Sequence, residues 1–375
     1  MTLRPFHVRL AAVLLAGAAF TLTPTALGQT LPSAVIQSLQ LSSEDASQVA
    51  AFVEQNSTKL GSKDPEAIRK DRSALLGPLS DPQISTSFRQ QYSRVLLPKL
   101  EPLAADSDEL TVINALVIAG DLGTDAAADL VISKLGASNA AIRYQAAYAV
   151  QRLFGTMTGS GPTLKTNKAE AMIEAIPQAM ARESDALVVD ALVRAALAAA
   201  RVEPIRSQAI SGLTSGMSGV LRSHKGAAPD QLVAAAIRAG SGLTEVLANP
   251  AFKIRTESLK ASASMGGDMM AYVSRAIASK TIPTDVTESA ARPGEVSARE
   301  LHAQVALSGE TLVLLSGKVL NPTFDAPNRR TGEKLRRGTT SGDAEFLVEM
   351  GTVLGGGGVL AGDPFRFPAG TFSTK

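Results

Sequence analysis

This chain has few residues suited to chemistry. It has no cysteine and no tryptophan, and only three histidines among 375 residues. His7 lies in the leader described below, which leaves His224 and His302. With no thiolate and only two imidazoles, the residue types argue against a zinc or similar metal centre, which draws its three or four protein ligands from His, Cys and carboxylates. Both read as surface histidines. His224 stands in Arg222-Ser223-His224-Lys225, a basic helix end where the helix dipole favours cations. Neither HExxH nor GxSxG occurs. Ser316-Gly317-Lys318 runs into Val319, where a phosphate loop needs Ser or Thr, and Gly309 stands at the wrong spacing. Gly356-x-Gly358-x-x-Ala361 runs into Gly362-Asp363-Pro364 rather than a helix, so it does not make a dinucleotide fingerprint. No cofactor is expected. The carboxylate pairs Glu183/Asp185 and Asp106/Asp108 read as helix caps and first-turn charges. A glycosidase would need two acids facing each other across a cleft.

Two surface features remain. Tyr144 and Tyr148 are two of four tyrosines and lie one helical turn apart. With Gln151 and Arg152 they form a candidate partner-binding patch, since Tyr and Arg are enriched at binding hot spots. The other reading is that the rings fill space between helices and keep their hydroxyls wet. The basic cluster Arg329, Arg330, Lys334, Arg336 and Arg337 reads as a solvated tail, with an acidic surface as its alternative partner.

The elements that must position these residues are helical. Hydrophobic residues make up 45% of the chain and aromatics 4%. That Ala/Leu-rich balance suits close-packed helices and suits strands poorly. Residues 1–28 read as a signal peptide. Arg4, His7 and Arg9 precede an apolar run from Leu10 to Leu22, with small residues at Ala26 and Gly28 before the expected cut. Removing 1–28 takes away Arg4 and Arg9 and no acid, so 35 of the 37 basic side chains remain against 35 acids. A balanced mature chain gives no charge argument for nucleic acid or an anionic membrane as partner. No later stretch is long and apolar enough to span a bilayer, and the absence of cysteine excludes a lipoprotein anchor.

Helix signals recur from Leu31. Ser42-x-x-Asp45 and Ser297-x-x-Glu300 resemble capping boxes. Asp64-Pro65 opens a helix with a cap and a proline at the first position. A helix is expected over Ile84 to Leu97. The span from Asp108 to Phe154 gives three short amphipathic patterns broken at Gly120-Asp121-Leu122-Gly123 and at Gly136. Further helices are expected at Lys168–Ala181, Asp185–Arg201, Pro204–Leu221, Pro229–Leu247, Phe252–Met265 and Asp268–Ser279. Helices this short must stack to persist.

Ile68-Arg69, Ile142-Arg143, Ile205-Arg206 and Ile254-Arg255 each stand near a helix start after a break. They fit a degenerate helical-pair repeat. Ala119-Gly120-Asp121-Leu122-Gly123, Ala126-Ala127, Leu130-Val131, Ile142-Arg143, Ala146-Ala147 and Leu153 together resemble the HEAT-like repeat, especially its short bilin-lyase form. Asn139 and Asn249 stand where that family often has an acid. The resemblance implies an all-α fold, an α-solenoid of antiparallel helix pairs, and carries no catalytic residue.

The expected organisation is a signal peptide (1–28), a HEAT-like domain (29–280), a linker (281–296), a helical hairpin (297–320) and a flexible, poorly ordered Gly/Pro/Arg-containing tail (321–375). The expected function is an exported, non-catalytic scaffold or adaptor in the periplasm or cell envelope. It would bind a protein or peptide along a helical face. The alternatives are an enzyme or enzyme subunit acting on an envelope polymer through carboxylates, and a self-assembling structural component of the envelope.

Overall fold

The structure, a computed structural model, describes residues 30–159, 161–224, 228–284, 296–325, 329–372 and 374. The signal-peptide reading and most of the linker lie outside the described residues. The described chain is all-α, and no strand occurs within it. In order the helices are α1 (Ser33–Ile36), α2 (Ser43–Ser57), α3 (Pro65–Leu76), α4 (Thr86–Ala104), α5 (Glu109–Leu122), α6 (Asp125–Ser133), α7 (Ala140–Thr156) and α8 (Thr166–Arg182). They continue with α9 (Ala186–Ala199), α10 (Arg206–Ser223), α11 (Asp230–Ala248), α12 (Thr256–Ala278), α13 (Ala298–Leu320), α14 (Thr331–Arg336) and α15 (Thr340–Leu354).

Local sequence sets the helix ends. Ser42 and Asp45 form the expected capping box on α2. Asp64 caps α3, whose first residue is Pro65. Asp108 caps α5 through the Thr111 N–H at 2.8 Å, and Asp106 accepts from the Asp108 N–H. Gly123 ends α5 in the left-handed region, at φ 67°. That conformation suits glycine, which lacks the Cβ that penalises it. Asn139 caps α7 and Asp185 caps α9.

Each helix packs on the helix two places along the chain. One row runs α3, α5, α7, α9, α11, α13; the other runs α2, α4, α6, α8, α10, α12. The apolar core lies between the rows. It holds Leu116 and Ala119 of α5, Ala146, Val150 and Leu153 of α7, and Leu192 and Ala196 of α9. Small residues let the helices approach. A Cβ at Gly120 of α5 would lie 2.9 Å from the Ala149 Cα of α7. Truncating a buried side chain such as Leu153 would cost about 2–5 kcal/mol, as a transfer loss plus a cavity.

Two of the Ile-Arg arginines do the same job. Arg143 donates through Nη1 to the carbonyls of Ala137 and Ser138, six and five residues earlier. Arg206 donates to the carbonyls of Ala200 and Arg201 at the same two offsets, and its guanidinium lies 3.9 Å from the Phe252 ring centroid. Each arginine thus ties down the turn that enters its own helix. Arg69 instead pairs with exposed Glu66.

Three expectations are corrected. The spans read as two helices, Phe252–Met265 and Asp268–Ser279, are the single helix α12. The hairpin expected at 297–320 is the single helix α13. One contact accounts for both. A Cβ at Gly266 would lie 2.5 Å from the Gly309 carbonyl oxygen, and one at Gly309 would lie 2.6 Å from that of Gly266. Two continuous helices cross at these glycines, of which Gly266 falls in the break expected between two helices. Third, the tail after Asn321 is not extended: α14 packs on α13, and α15 packs on α12 and α14. Beyond α15, Phe365 and Phe367 stack, with Phe324 and Phe372 edge-on to them. Phe372 and Leu360 close over Gly267 of α12. The helix read as Ile84–Leu97 also runs further, as α4, with Pro98 and Pro102 inside it.

Candidate functional site

The four residues proposed as a patch lie on α7, in the row made by α5, α7, α9 and α11. Positions 144, 148, 151 and 152 share one helical face. Tyr144 and Tyr148 are each 41% exposed, so neither ring is spent filling the core. Gln151 and Arg152 sit lower on the same stripe and line a cavity of about 580 Å³. The cavity lies where α5, α7 and α9 end, with Arg89 of α4 and Asp81 at its walls. A second cavity of about 240 Å³ shares Gln151, Ala198 and Arg201 with it, and continues across α9 and α11 along Arg194, Arg238, Ser241 and Glu245.

The charges in this groove are arranged in a chain. The Arg152 Nε donates to Asp121 at 2.7 Å. Asp190 accepts from the Nε of Arg194 at 2.7 Å and from the Nε of Arg238 at 2.6 Å, one arginine on each oxygen. Arg201 lies 3.6 Å from Glu245, both well exposed. Helix C-termini explain why arginine gathers here, since the carbonyl ends attract cations. Arg89 shows this directly: its Nη1 donates to the carbonyls of Asp121 and Leu122 at the end of α5. Arg89 is 4% exposed, and its Nε has no hydrogen-bond partner among the described residues. The Gln151 Oε1 is likewise buried and unpartnered. Burial pushes the Asp121 carboxyl up from its ordinary value, against the opposing pull of Arg152 and Arg89. Burial pushes the Arg89 guanidinium down, and Asp121 opposes it.

Other sequence candidates fall elsewhere. Glu183 and Asp185 are structural, as expected: Asp185 caps α9, and Glu183 forms a two-pronged pair with Arg143 at 2.7 and 2.8 Å. Burial alone would raise the Glu183 carboxyl. The Arg143 bonds and the N–H groups of Asp185 and Ser184 outweigh it and hold the carboxyl below its usual value. The Gly309 to Lys318 stretch lies inside α13, and Gly356 to Ala361 forms turns after α15. Neither cradles a phosphate.

The reading of His302 as a surface residue is corrected. It is 1% exposed, stacked on Tyr272. Its Nδ1 lies 2.6 Å from the Ala298 carbonyl, so it carries the proton, and its Nε2 accepts from the Tyr272 hydroxyl at 2.9 Å. The Tyr272 oxygen in turn accepts from the Ala228 N–H. Burial pushes the imidazole down, against the Ala298 carbonyl and Asp230. The basic cluster is corrected as well. Arg329 and Lys334 pair with Glu349, Arg330 with Glu333, Arg336 with Glu300 and Arg337 with Glu345. Arg329 and Lys334 are largely covered, whereas the Arg330 and Arg337 pairs lie exposed on a folded region rather than in a loose tail.

Sequence reasoning passed over Arg194, Arg238 and Asp190. The Asp190–Arg194 spacing of four was readable as a helix-face pair. Arg238 lies 48 residues from its partner, and only the stacking of α9 on α11 joins them.

No protein-family model and no curated protein matches the chain. Among solved structures the chain is similar to the crystal structure of an engineered protein, at 13% identity and a TM-score of 0.30. The alignment covers 84% of this chain and 86% of that one. No described helix is long and apolar enough to cross a membrane.

Proposed function

We propose that the chain is an exported, non-catalytic scaffold or adaptor, an α-solenoid of degenerate HEAT-like repeats that binds a protein or peptide along the face of α5, α7, α9 and α11. The two-row helix order and the matching turn clips of Arg143 and Arg206 support the repeat. Solenoids offer long continuous surfaces of this kind. The observation that carries the binding reading is the stripe on α7. It places half-exposed Tyr144 and Tyr148 directly above Gln151 and Arg152 in a two-part groove.

The test is a photo-crosslinking residue placed at Tyr148, with Glu174 on exposed α8 as the control position. Crosslinks formed at 148, absent at 174, and lost when Tyr144→Ala is added would support the reading. Equal capture at both positions, or none at either, would overturn it. The Tyr144→Ala/Tyr148→Ala pair should change stability by no more than about 1 kcal/mol, because each is a surface substitution.

The carboxylate-enzyme reading has one observation in its favour. Asp121 is raised by burial and lines the same cavity as Asp81. Both are already engaged, Asp121 by Arg152 and Asp81 by Gln37 and the Gln83 N–H. Hydrolysis of an envelope polymer that is abolished by Asp121→Asn would favour the enzyme.

A further inference from the structure

The arginine–carboxylate pairs differ in how much of the guanidinium they use: several are two-pronged, as exposed Arg69 with Glu66 also is, and others, such as Arg366 with Asp363, use Nε. Arg143 with Glu183, Arg222 with Asp268 and Arg336 with Glu300 are two-pronged. In each, Nε and Nη2 hold the two oxygens of one carboxylate at 2.7 to 2.8 Å. That geometry satisfies both partners and leaves little over. Arg194 and Arg238 differ. Among the described residues each makes one hydrogen bond, through Nε, to one oxygen of the same Asp190. A single carboxylate balances two guanidinium groups, and the Nη groups of both are left without a protein acceptor. Their side chains are 43% and 42% exposed, and both line the smaller cavity. Arg201, at the cavity's edge, is held only at 3.6 Å by Glu245. Asp190 is therefore placed to orient two guanidinium groups while leaving their outer donors available.

We infer that Arg194, Arg238 and Arg201 form a clamp for the carboxylates of an acidic peptide segment, with Asp190 as its positioning residue. This rests on the binding face proposed above and names the chemistry of its occupant. Two features favour a peptide over a lone anion. The smaller cavity runs into the larger one through Gln151, Ala198 and Arg201, which gives a track rather than a socket. Arg194 and Arg201 are seven residues apart, about 10 Å along a helix at 1.5 Å per residue. On an extended chain the acids that share a face stand two or four apart, about 7 or 13 Å, and these spacings bracket that distance.

The test uses the mature chain and fluorescein-labelled hexaglutamate, followed by anisotropy at low salt, with hexaglutamine and hexalysine as controls. Arg194→Gln/Arg238→Gln should weaken hexaglutamate binding about tenfold or more, the loss expected from charge-assisted hydrogen bonds. The melting transition should stay in place. Asp190→Asn separates a built clamp from a merely positive patch. It adds one net positive charge, so a patch would bind hexaglutamate more tightly, whereas an unoriented clamp binds more weakly. Tighter binding overturns the clamp. So does hexaglutamate binding that is indifferent to the double variant, or inorganic phosphate competing as well as unlabelled hexaglutamate. Failure here with crosslinking at position 148 intact removes the acidic occupant and keeps the face. Loss of position-148 crosslinking with the clamp intact removes the Tyr stripe from the site.

Discussion

Arg299 and Arg89 are both buried arginines, and they mark two regions that treat polar burial differently. Arg299, in the C-terminal region of α12 to α15, is 1% exposed. Its Nε donates to the Leu335 carbonyl at 2.6 Å, its Nη1 to the Pro283 carbonyl at 3.0 Å, and its Nη2 to Asp343. All three guanidinium nitrogens are used, and the arginine staples α13 to Leu335 of α14, Asp343 of α15 and Pro283 after α12. Arg89, behind the groove of the α5–α11 row, is nearly as buried, yet only its Nη1 donates and its Nε has no partner. The C-terminal region also closes Arg329 and Lys334 together on Glu349. The groove region leaves donors over beside open space. A saturated buried cation reads as architecture. An undersatisfied one on a cavity wall reads as a place still to be completed by something else.

The contrast breaks first at Arg299. Replacing it with Met leaves Asp343 without its arginine and the buried Leu335 carbonyl with only the Gly338 N–H. Unfolding in urea should show a loss of about 3–5 kcal/mol, the usual cost of breaking a buried pair from one side. A loss below about 1 kcal/mol would mean that the staple is dispensable. Arg89→Met should cost less, about 1–2 kcal/mol. It frees two carbonyls at the end of α5 but also removes an unpaired buried N–H. Equal losses at the two sites would erase the distinction drawn here.

The third prediction concerns pH and the C-terminal region alone. His302 is pushed down by burial in the folded chain, so the unfolded chain takes up its proton first as pH falls. Stability is therefore fully present above about pH 6.5, the ordinary histidine value, and declines below it. For one proton the slope cannot exceed about 1.4 kcal/mol per pH unit. His302→Gln should flatten the unfolding free energy between about pH 6.5 and 5. An unchanged slope would place the titration elsewhere. Asp230, which favours the charged ring, is the carboxylate to vary alongside it.

Much of the helical framework was readable from caps and breaks. Ser42, Asp64 and Asp185 cap the helices they were expected to cap, and Gly123 ends α5. What misled the reading was glycine in a second role. Gly266 looks like punctuation in one dimension, but it is where α12 touches Gly309 of α13 in three. The tail was misread for a related reason. Its acids and bases, and its phenylalanines, gain a reason to be ordered only from distant partners such as Glu300, Asp343 and Gly267. Of the site, the Tyr stripe was legible because it repeats at helical spacing. Arg194 and Arg238 were not, because their common partner Asp190 makes sense only once α9 lies on α11.

The packing of α14, α15 and the phenylalanine cluster against α12 and α13 has a consequence for length. A two-row stack of helices has no intrinsic last member, since each new pair leaves another apolar flank. Here the final pair is short and irregular, and Phe372 and Leu360 fold back over Gly267. These last helices and aromatic rings thus cover surface of α12 and α13, much as an atypical end unit covers the last repeat of a stacked array. A chain cut near Asn321 would bare the faces of α12 and α13 that they cover, and should self-associate, seen as a mass that rises with concentration in light scattering.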